Sequence, residues 1–146
     1  MLYVAYGSNI PSSQMLHRCK GAKFIGKGIL KNYELNFKYH ADIDAKKGSN
    51  VEVVVWDIND TDELVLDMYE GFPIYYIKHY VEVVLDNGNI IKGKVYEMSN
   101  ENKKQNSNLI PDMNYLSTIL SGYAEFNLNT SCLSNALKDV LRFVKK

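Results

Sequence analysis

The chain has 146 residues, of which 46% are hydrophobic and 23% are charged, and its 17 Lys and Arg residues balance 17 Asp and Glu residues. This length and composition are typical of one globular domain, so we expect a single domain over residues 1–146. A net charge of zero provides no basic field for nucleic acid, and no apolar run approaches the roughly 20 residues of a membrane span. We therefore expect neither nucleic acid nor a membrane as a partner.

The cysteines and the N-terminus indicate the compartment. Cys19 and Cys132 lie far apart and form no C-x-x-C motif, which is typical of a reduced intracellular protein. The first residues lack the basic and apolar regions of a signal peptide. The sequence therefore predicts a cytoplasmic protein. Because the histidines (His17, His40 and His79) lack metal-ligand spacing, it also predicts no metal.

The first ten residues lead a strand into a tight turn. Residues 2–6 are mostly apolar and β-forming, and Gly7, Ser8 and Asn9 follow directly. A glycine here can adopt a positive φ and lets a ligand approach the backbone closely. The N–H groups of the turn can bind an anion, assisted by the start of the next helix. The same residues also suit an ordinary strand-to-helix turn in which Ser8 or Asn9 is the cap.

A short helix is predicted over residues 11–18, because proline suits a first helical turn. Arg18, near its end, has two interpretations. It is either a solvent-exposed charge or a strut whose five donors hold the turn formed by Gly7, Ser8 and Asn9.

Five further strands are predicted from alternating or continuous β-forming residues, at residues 22–30, 33–39, 51–58, 75–85 and 90–98. The run Gly26-Lys27-Gly28 inside the first of these is typical of a bulge. Residues 45–50 predict a turn, and the strand that follows is apolar on both faces and so central in a sheet. Residues 86–89 predict a hairpin turn.

The second helix has clear start and stop signals. Asn59 or Asp60 is the expected cap, and Gly71 is the expected end. The predicted buried face consists of Leu64, Val65 and Met68.

Glu70 lies in the last turn of this helix, where the helix dipole disfavours a negative charge. Its aromatic and apolar neighbours would bury it and raise its pKa further. A glutamate tuned in this way suits proton transfer at physiological pH. The alternative is a solvent-exposed glutamate in a helix-to-strand turn.

The last third of the chain predicts a loop and two helices. Residues 99–108 are almost wholly polar and predict a mobile loop, which is either solvated or a lid. A helix is expected from residue 111 to about residue 126, with a core stripe of Leu116, Ile119, Leu120 and Tyr123 and with Gly122 allowing close packing. The final helix starts near residue 130 and is expected to cover the sheet. Its apolar residues recur at i, i+3, i+4, i+7, i+8 and i+11, namely Leu133, Ala136, Leu137, Val140, Leu141 and Val144.

Four groups of residues together resemble the γ-glutamylcyclotransferase superfamily, which includes AIG2-like and γ-glutamylamine cyclotransferase-like proteins. They are, in chain order, Tyr3-Val4-Ala5-Tyr6-Gly7-Ser8-Asn9, Met15 with Arg18, Leu66-Asp67-Met68-Tyr69-Glu70-Gly71-Phe72-Pro73, and Pro111 with Tyr115. The resemblance implies a mixed αβ (α+β) fold with a small, curved, barrel-like sheet and flanking helices.

The resemblance also implies a function and a site. The family's catalytic acid/base glutamate falls on Glu70, its substrate loop on Tyr3, Val4, Ala5, Tyr6, Gly7, Ser8 and Asn9, and a binding tyrosine on Tyr115. The implied reaction cyclises a γ-glutamyl group to 5-oxoproline and releases an amine, without metal or cofactor. The implied partner is a small γ-glutamyl substrate, and we expect a monomer or a homodimer.

Several alternatives stay open. Residues 39–51 are short and charged compared with many relatives, so substrate preference can differ. The superfamily also contains proteins that act on different γ-glutamyl amines, so membership leaves the leaving group undecided. A second hypothesis is a non-catalytic protein that binds a small anionic metabolite in the same pocket, and a third is an interaction domain that uses the final helix.

Overall fold

The structure is a computed structural model that describes residues 1–106 and 109–144. Its strands are β1 (Leu2–Ala5), β2 (Lys23–Lys38), β3 (His40–Asp57), β4 (Tyr76–Leu85) and β5 (Ile90–Met98). Its helices are α1 (Ser12–Arg18), α2 (Asp60–Glu70), α3 (Asn100–Gln105), α4 (Met113–Glu125) and α5 (Ser131–Val144).

The strands close into a barrel in the order β1-β3-β2-β4-β5. β1 pairs antiparallel with β3 and parallel with β5, whereas β2–β3 and β4–β5 are antiparallel hairpins. Val53, Val54 and Val55 of β3 are fully buried, as expected for a strand between two neighbours. The prediction of a mixed α+β fold with a barrel-like sheet is confirmed. The assignment of residues 1–146 to one domain stays a prediction.

Closure of the barrel depends on a short contact between β2 and β4. These strands pair only at Gly28 with Leu85 and at Ile29 with Val84 among the residues described. A Cβ atom on Gly28 would lie 2.5 Å from the backbone oxygen of Val84, so a glycine is required there by the close approach of two backbones. The bulge predicted for Gly26-Lys27-Gly28 occurs at the start of that run, as a shift in register between Phe24 and Gly26.

The β2–β3 hairpin differs from the prediction. The two runs predicted before residue 40 form one strand, and the predicted turn at residues 45–50 lies inside β3. The chain reverses instead at Tyr39, which has a φ of 69°. Tyr33 pairs with Ala45 and Lys31 pairs with Asn50, so residues 46–49 bulge opposite a single residue of β2. The strand stays continuous because residues on both sides of the bulge pair with β2, although the sequence of the bulge itself is typical of a turn.

The ends of α2 are confirmed, but its predicted buried face is wrong. Asn59 caps the helix and Gly71 ends it in the left-handed conformation with a φ of 66°. Leu64, Val65 and Met68 are exposed by 65%, 38% and 84%, because the helix packs through Leu66 and Asp62 instead. An apolar surface is therefore left on the outside of α2.

The polar segment after β5 was predicted as a loop, but residues 100–105 form α3. Ser99 caps it by accepting a hydrogen bond from the Asn102 N–H group at 3.3 Å. A six-residue helix is not stable by itself. Ion pairs made by Lys103 with Asp42 and Asp44 of β3 attach it to the barrel. Residues 107 and 108 of the predicted loop lie outside the described residues.

The two C-terminal helices occur where predicted. A Cβ on Gly122 would lie 2.6 Å from Ile10 Cγ2, which confirms the predicted close packing. α5 covers the sheet through its buried residues, Leu133, Ala136 and Val140. Leu120 and Leu141 were expected in the core but are exposed by 44% and 48%, because each lies at the edge of its helix's apolar stripe. No helix in the described ranges is long and apolar enough to cross a membrane.

Candidate active site

A cavity of about 510 Å³ lies between β1, the end of α2, the β2–β3 hairpin and the helices α3 and α4. Eight residues predicted for the site line it: Tyr3, Val4, Tyr6, Gly7, Ser8, Asn9, Glu70 and Tyr115. The ninth, Ala5, packs in the hydrophobic core, where it is 1% exposed. The structure thus brings together residues from both ends and the middle of the sequence. Their roles in binding and catalysis stay predictions.

The turn after β1 presents unused donors. No hydrogen bond among residues 1–106 and 109–144 uses the backbone N–H groups of Gly7, Ser8 or Asn9, although all three residues line the cavity. Three adjacent N–H groups of this kind are suited to a carboxylate or another oxygen anion. Gly7 does not have the positive φ that we expected. Gly7 instead lies close to Ala41 of β3, since a Cβ atom on Gly7 would be 3.3 Å from the Cβ of Ala41.

A network of side-chain contacts, buried at Asn9 and Tyr3, holds this turn in place. The Asn9 side-chain amide donates to the Tyr3 hydroxyl at 3.0 Å, and Arg18 donates to the Asn9 side-chain oxygen. The Arg18 guanidinium also stacks on the Tyr69 ring, 3.7 Å from its centroid. The Tyr69 hydroxyl lies 3.1 Å from the Ser8 hydroxyl, within hydrogen-bond distance. These contacts therefore favour the interpretation of Arg18 as a strut that holds the turn, rather than as a solvent-exposed charge.

Glu70 is the final residue of α2, so the negative end of the helix dipole disfavours its charged form. The residue as a whole is half-buried, but its carboxyl group is enclosed by protein, and this burial raises its pKa from 4.5 to about 7. The nearby positive charge of Arg18 opposes that increase. No hydrogen bond within the described chain reaches this carboxyl group, so both of its oxygens are available to a ligand.

Tyrosine hydroxyls surround the cavity at fixed positions. Tyr115 accepts a hydrogen bond from the Ala41 N–H group at 2.9 Å, and Tyr76 donates to the Ala41 carbonyl at 3.0 Å. The Tyr6 hydroxyl donates to the carbonyl of Tyr96 at 2.7 Å. Burial, with a contribution from the charge of Glu70, raises the pKa of these tyrosines above its ordinary value. Because Tyr115 only accepts within the described residues, its O–H group can donate to a ligand.

The cavity lining also contains residues that were not predicted for the site. Lys38, Asn102, Met68, Tyr69, Tyr75 and Tyr76 all line the cavity. Asn102 could not be identified from the sequence, because it lies in a segment that was predicted as a loop and the direction of a side chain in a loop cannot be predicted. Tyr69 and Met68 lie within the motif around Glu70, and this proximity is the signal that could have identified them.

A cluster of buried charges surrounds Lys38. Lys38 contacts Asp42 and Asp44 at 2.6 Å each, and Lys103 of α3 contacts the same carboxylates at 2.8 and 2.6 Å. Asp42 is fully buried and also accepts from the Met98 N–H group at 2.9 Å. Asp42 and Asp44, which belong to the short charged segment of the sequence, therefore hold Lys38 in its place in the cavity lining.

Comparisons with known proteins agree with this geometry. A family model described as "Gamma-glutamyl cyclotransferase, AIG2-like" matches residues 3–117, which include the turn, Glu70 and Tyr115. No protein among the curated sequences matches the chain.

Solved structures share the fold. A structure described as "Gamma-glutamyl cyclotransferase" is 25% identical with a TM-score of 0.76, and the match covers 96% of this chain and 85% of that one. Uncharacterized protein loc79017 from Homo sapiens is 25% identical with a TM-score of 0.77 over 99% and 98% of the two chains. YkqA from Bacillus subtilis is 20% identical with a TM-score of 0.78, and the match covers 96% of this chain but 54% of YkqA, which shows the fold alone. Because the family model matches residues 3–117, which is most of the chain, the chain belongs to the AIG2-like gamma-glutamyl cyclotransferase family.

Proposed function

We propose that the protein cyclises the γ-glutamyl group of a small γ-glutamyl amino acid or amine, releasing 5-oxoproline and the free amine, with Glu70 as general acid and base. The observation that carries the proposal is the enclosed carboxyl group of Glu70, whose pKa is raised to about 7. It lines the same cavity as Gly7, Ser8 and Asn9, whose N–H groups make no hydrogen bond within the described residues. A carboxyl group with this pKa exchanges protons readily at neutral pH.

The reaction needs two protons to leave the attacking nitrogen. The substrate's α-ammonium group first loses one proton to solvent, and the resulting amine attacks its own γ-carbonyl carbon. As the C–N bond forms and closes a five-membered ring, the Glu70 carboxylate accepts the second proton from this nitrogen. When the bond from the γ-carbon to the leaving nitrogen breaks, protonated Glu70 donates that proton to the leaving nitrogen. The carboxylate is restored, and the released amine takes up a proton from solvent.

The protein's remaining contribution is to hold the glutamyl chain folded, so that its amine and carbonyl meet. The N–H groups of Gly7, Ser8 and Asn9 are suited either to the α-carboxylate of the substrate or to the oxyanion that develops on the γ-carbonyl. The O–H group of Tyr115 is a further donor directed by its bond to Ala41. The network of Arg18, Asn9 and Tyr3 keeps the turn in one position.

The first experiment measures 5-oxoproline by mass spectrometry after incubation with γ-glutamyl amino acids, γ-glutamyl-lysine, other γ-glutamylamines and glutathione. We expect product from at least one of them and a loss of at least about 100-fold in kcat for Glu70→Gln, because the substituted amide cannot accept or donate the proton. Glu82→Gln, an exposed position outside the cavity, is the matched control. Near wild-type turnover by Glu70→Gln would refute the assigned role.

A second candidate is a protein that binds a small anionic metabolite without turnover. The unused N–H groups of Gly7, Ser8 and Asn9 favour it, since they suit an anion whether or not a reaction follows. Thermal shift in the presence of each compound separates the two, because a ligand stabilises by RT ln(1 + [L]/Kd). Tight binding without product, unchanged in Glu70→Gln, would favour the binding protein.

A further inference from the structure

The second half of α2 has little apolar packing to hold it in place. Of residues 67–70, all of which the structure describes, none is buried. Glu70, the proposed acid and base, is the last residue of this part of the helix. A misplacement of about 1 Å can cost a reaction about 100-fold in rate. Contacts other than apolar packing must therefore fix this end of the helix.

A lysine of the barrel makes such contacts. The Lys78 ammonium group, on β4, lies 2.8 and 3.0 Å from the two carboxylate oxygens of Asp67 and 3.1 Å from the carboxylate of Glu63. The Tyr96 hydroxyl, on β5, donates to the same Asp67 carboxylate at 2.6 Å. Lys78 and Tyr96 are directly paired across the two strands. The sheet therefore holds the Asp67 side chain with two adjacent donors.

Lys78 contacts residues on both sides of Glu70. Asp67 precedes Glu70 by one turn, and its carbonyl accepts a hydrogen bond from the Phe72 N–H group at 2.9 Å, which ties the residues after Glu70 back to the helix. The Lys78 ammonium group also lies 4.3 Å from the centroid of the Phe72 ring. The Lys78 and Asp67 side chains are 16% and 19% exposed, so solvent ions screen their attraction less than on an open surface.

The contacts of Lys78 differ in kind from those of Arg18. Arg18 and Ser8 contact Tyr69, which joins the end of α2 to α1 and to the turn after β1. Burial of the Glu70 carboxyl group and the charge of Arg18 are the two influences on its pKa. Lys78 is neither one of these influences nor part of the cavity lining. Any effect of Lys78 on Glu70 therefore acts through position.

We propose that Lys78 is a positioning residue for the acid–base group: it fixes the last turn of α2 to the sheet and so keeps the Glu70 carboxyl group enclosed at the cavity wall. The inference rests on the proposed function for the role of Glu70. Without Lys78, Asp67 retains only the Tyr96 hydroxyl of these two donors, the last turn gains freedom, and water reaches the carboxyl group.

The test is Lys78→Met, measured with the γ-glutamyl compound that the protein converts fastest. We expect kcat to fall by about tenfold or more and KM to change by less than about threefold, because Lys78 does not touch the substrate. Hydration favours the charged carboxylate, so the rise of kcat/KM with pH should move from about 7 to a lower pH. Lys78→Arg keeps the cation and should restore both kcat and the midpoint.

The midpoint reports on Glu70 among the protein groups that face it, since the others keep one charge state near pH 7. Arginine stays protonated. Burial, with a contribution from the charge of Glu70, raises the pKa of the tyrosines above its ordinary value. The facing groups are Arg18 and the tyrosines Tyr3, Tyr6, Tyr76, Tyr96 and Tyr115.

Lys94→Met is the matched control. Lys94 pairs with Glu63 of the same helix at 2.8 Å, two turns before Glu70, and makes no hydrogen bond or ion pair with Asp67. This variant should keep kcat and the midpoint close to those of the wild type. Wild-type values in Lys78→Met would overturn the inference and leave the proposed function standing. Equal losses in the two variants would also overturn it, because the general attachment of α2 would then be responsible.

A titration that needs no turnover gives an independent result. NMR follows the side-chain carboxyl carbons of protein labelled with isotopic glutamate, and Glu70→Gln identifies the Glu70 signal. We expect this signal to titrate at a lower pH in Lys78→Met and at the wild-type pH in Lys94→Met. If no γ-glutamyl compound yields 5-oxoproline, the proposed function is wrong, and an unchanged titration in Lys78→Met would still refute the positioning of Glu70 by Lys78.

Discussion

The raised pKa of Glu70 comes from the burial of its carboxyl group by protein. Its position at the end of α2, where the helix dipole disfavours a negative charge, acts in the same direction. Arg18 acts in the opposite direction and keeps the pKa from rising further than about 7. The arginine therefore positions the turn through Asn9 and adjusts the acid–base group at the same time.

This balance predicts how activity depends on pH. Glu70 must be ionised to accept a proton, so kcat/KM should rise as the pH increases through about 7. Removing the cation in Arg18→Met favours the neutral carboxyl group, which raises its pKa and moves the midpoint of the rise to a higher pH. Arg18→Lys retains the charge and should keep a midpoint closer to that of the wild type. The measurement is the pH profile of kcat/KM for each variant.

The midpoint, rather than the absolute rate, distinguishes these variants, because loss of the Arg18–Asn9 contact can lower the rate at every pH. Lys20→Met removes a nearby exposed cation as a control and should leave the profile unchanged. A midpoint in Arg18→Met equal to that of the wild type would show that the arginine acts only as a strut.

At the scale of elements, α3 is a helix that the rest of the fold stabilises. Its sequence is polar throughout, and it has too few residues to be helical alone. Lys103 attaches it through ion pairs with Asp42, Asp44 and Glu97. Because Asn102 lines the cavity, the ion pairs of Lys103 also define one wall of the candidate site.

Lys103→Met should therefore loosen this wall and destabilise the protein. It leaves the fully buried Asp42 with Lys38 as its remaining cationic partner, and the expected loss of unfolding free energy is about 1–3 kcal/mol, less than for a buried charge left with no partner. Urea denaturation measures the loss, and hydrogen exchange at residues 100–105 reports on α3. Lys104→Met, at the neighbouring exposed position, should have little effect. If both variants were equally stable, the ion pairs would not be what holds α3.

At the scale of the whole molecule, the barrel is closed by a short contact at Gly28. Two pairs of residues join β2 to β4 in the described chain, whereas the hairpins on either side pair along most of their length. The backbones meet so closely that a side chain at Gly28 has no space. The cavity depends on this closure, because residues from β1, the β2–β3 hairpin and β5 all line it.

Gly28→Ala should destabilise the barrel by about 1–3 kcal/mol, since its Cβ would lie 2.5 Å from the backbone oxygen of Val84 and the strands would have to separate. Gly26→Ala is the matched control on the same strand, because its Cβ would make an ordinary 3.5 Å contact with Leu85. Thermal unfolding of both variants, followed by circular dichroism, measures the difference. A Gly28→Ala protein as stable as Gly26→Ala would contradict the assigned closure.

Local patterns determined much of the fold. The cap at Asn59, the end of α2 at Gly71, the β4–β5 hairpin and the bulge at Gly26 were all predicted from residues a few positions apart. Capping, left-handed ends and tight turns depend on backbone geometry and on neighbouring side chains, so a short window contains the information. The family motifs were recognised for a related reason, since each is a short run of residues.

Only the tertiary structure decided which surfaces are buried and which charges meet. Three elements differ from what their local sequence predicts: the exposed face of α2, the continuous strand β3 and the helix α3. In each case the contacts that the barrel makes, or does not make, with the element decide the outcome. The tertiary structure also determined that the carboxyl group of Glu70 is enclosed by protein and that Lys38 is paired with a carboxylate. Burial and ion pairing depend on residues far apart in the chain, so the sequence identified the residues of the candidate site and the fold determined the environment in which each one lies.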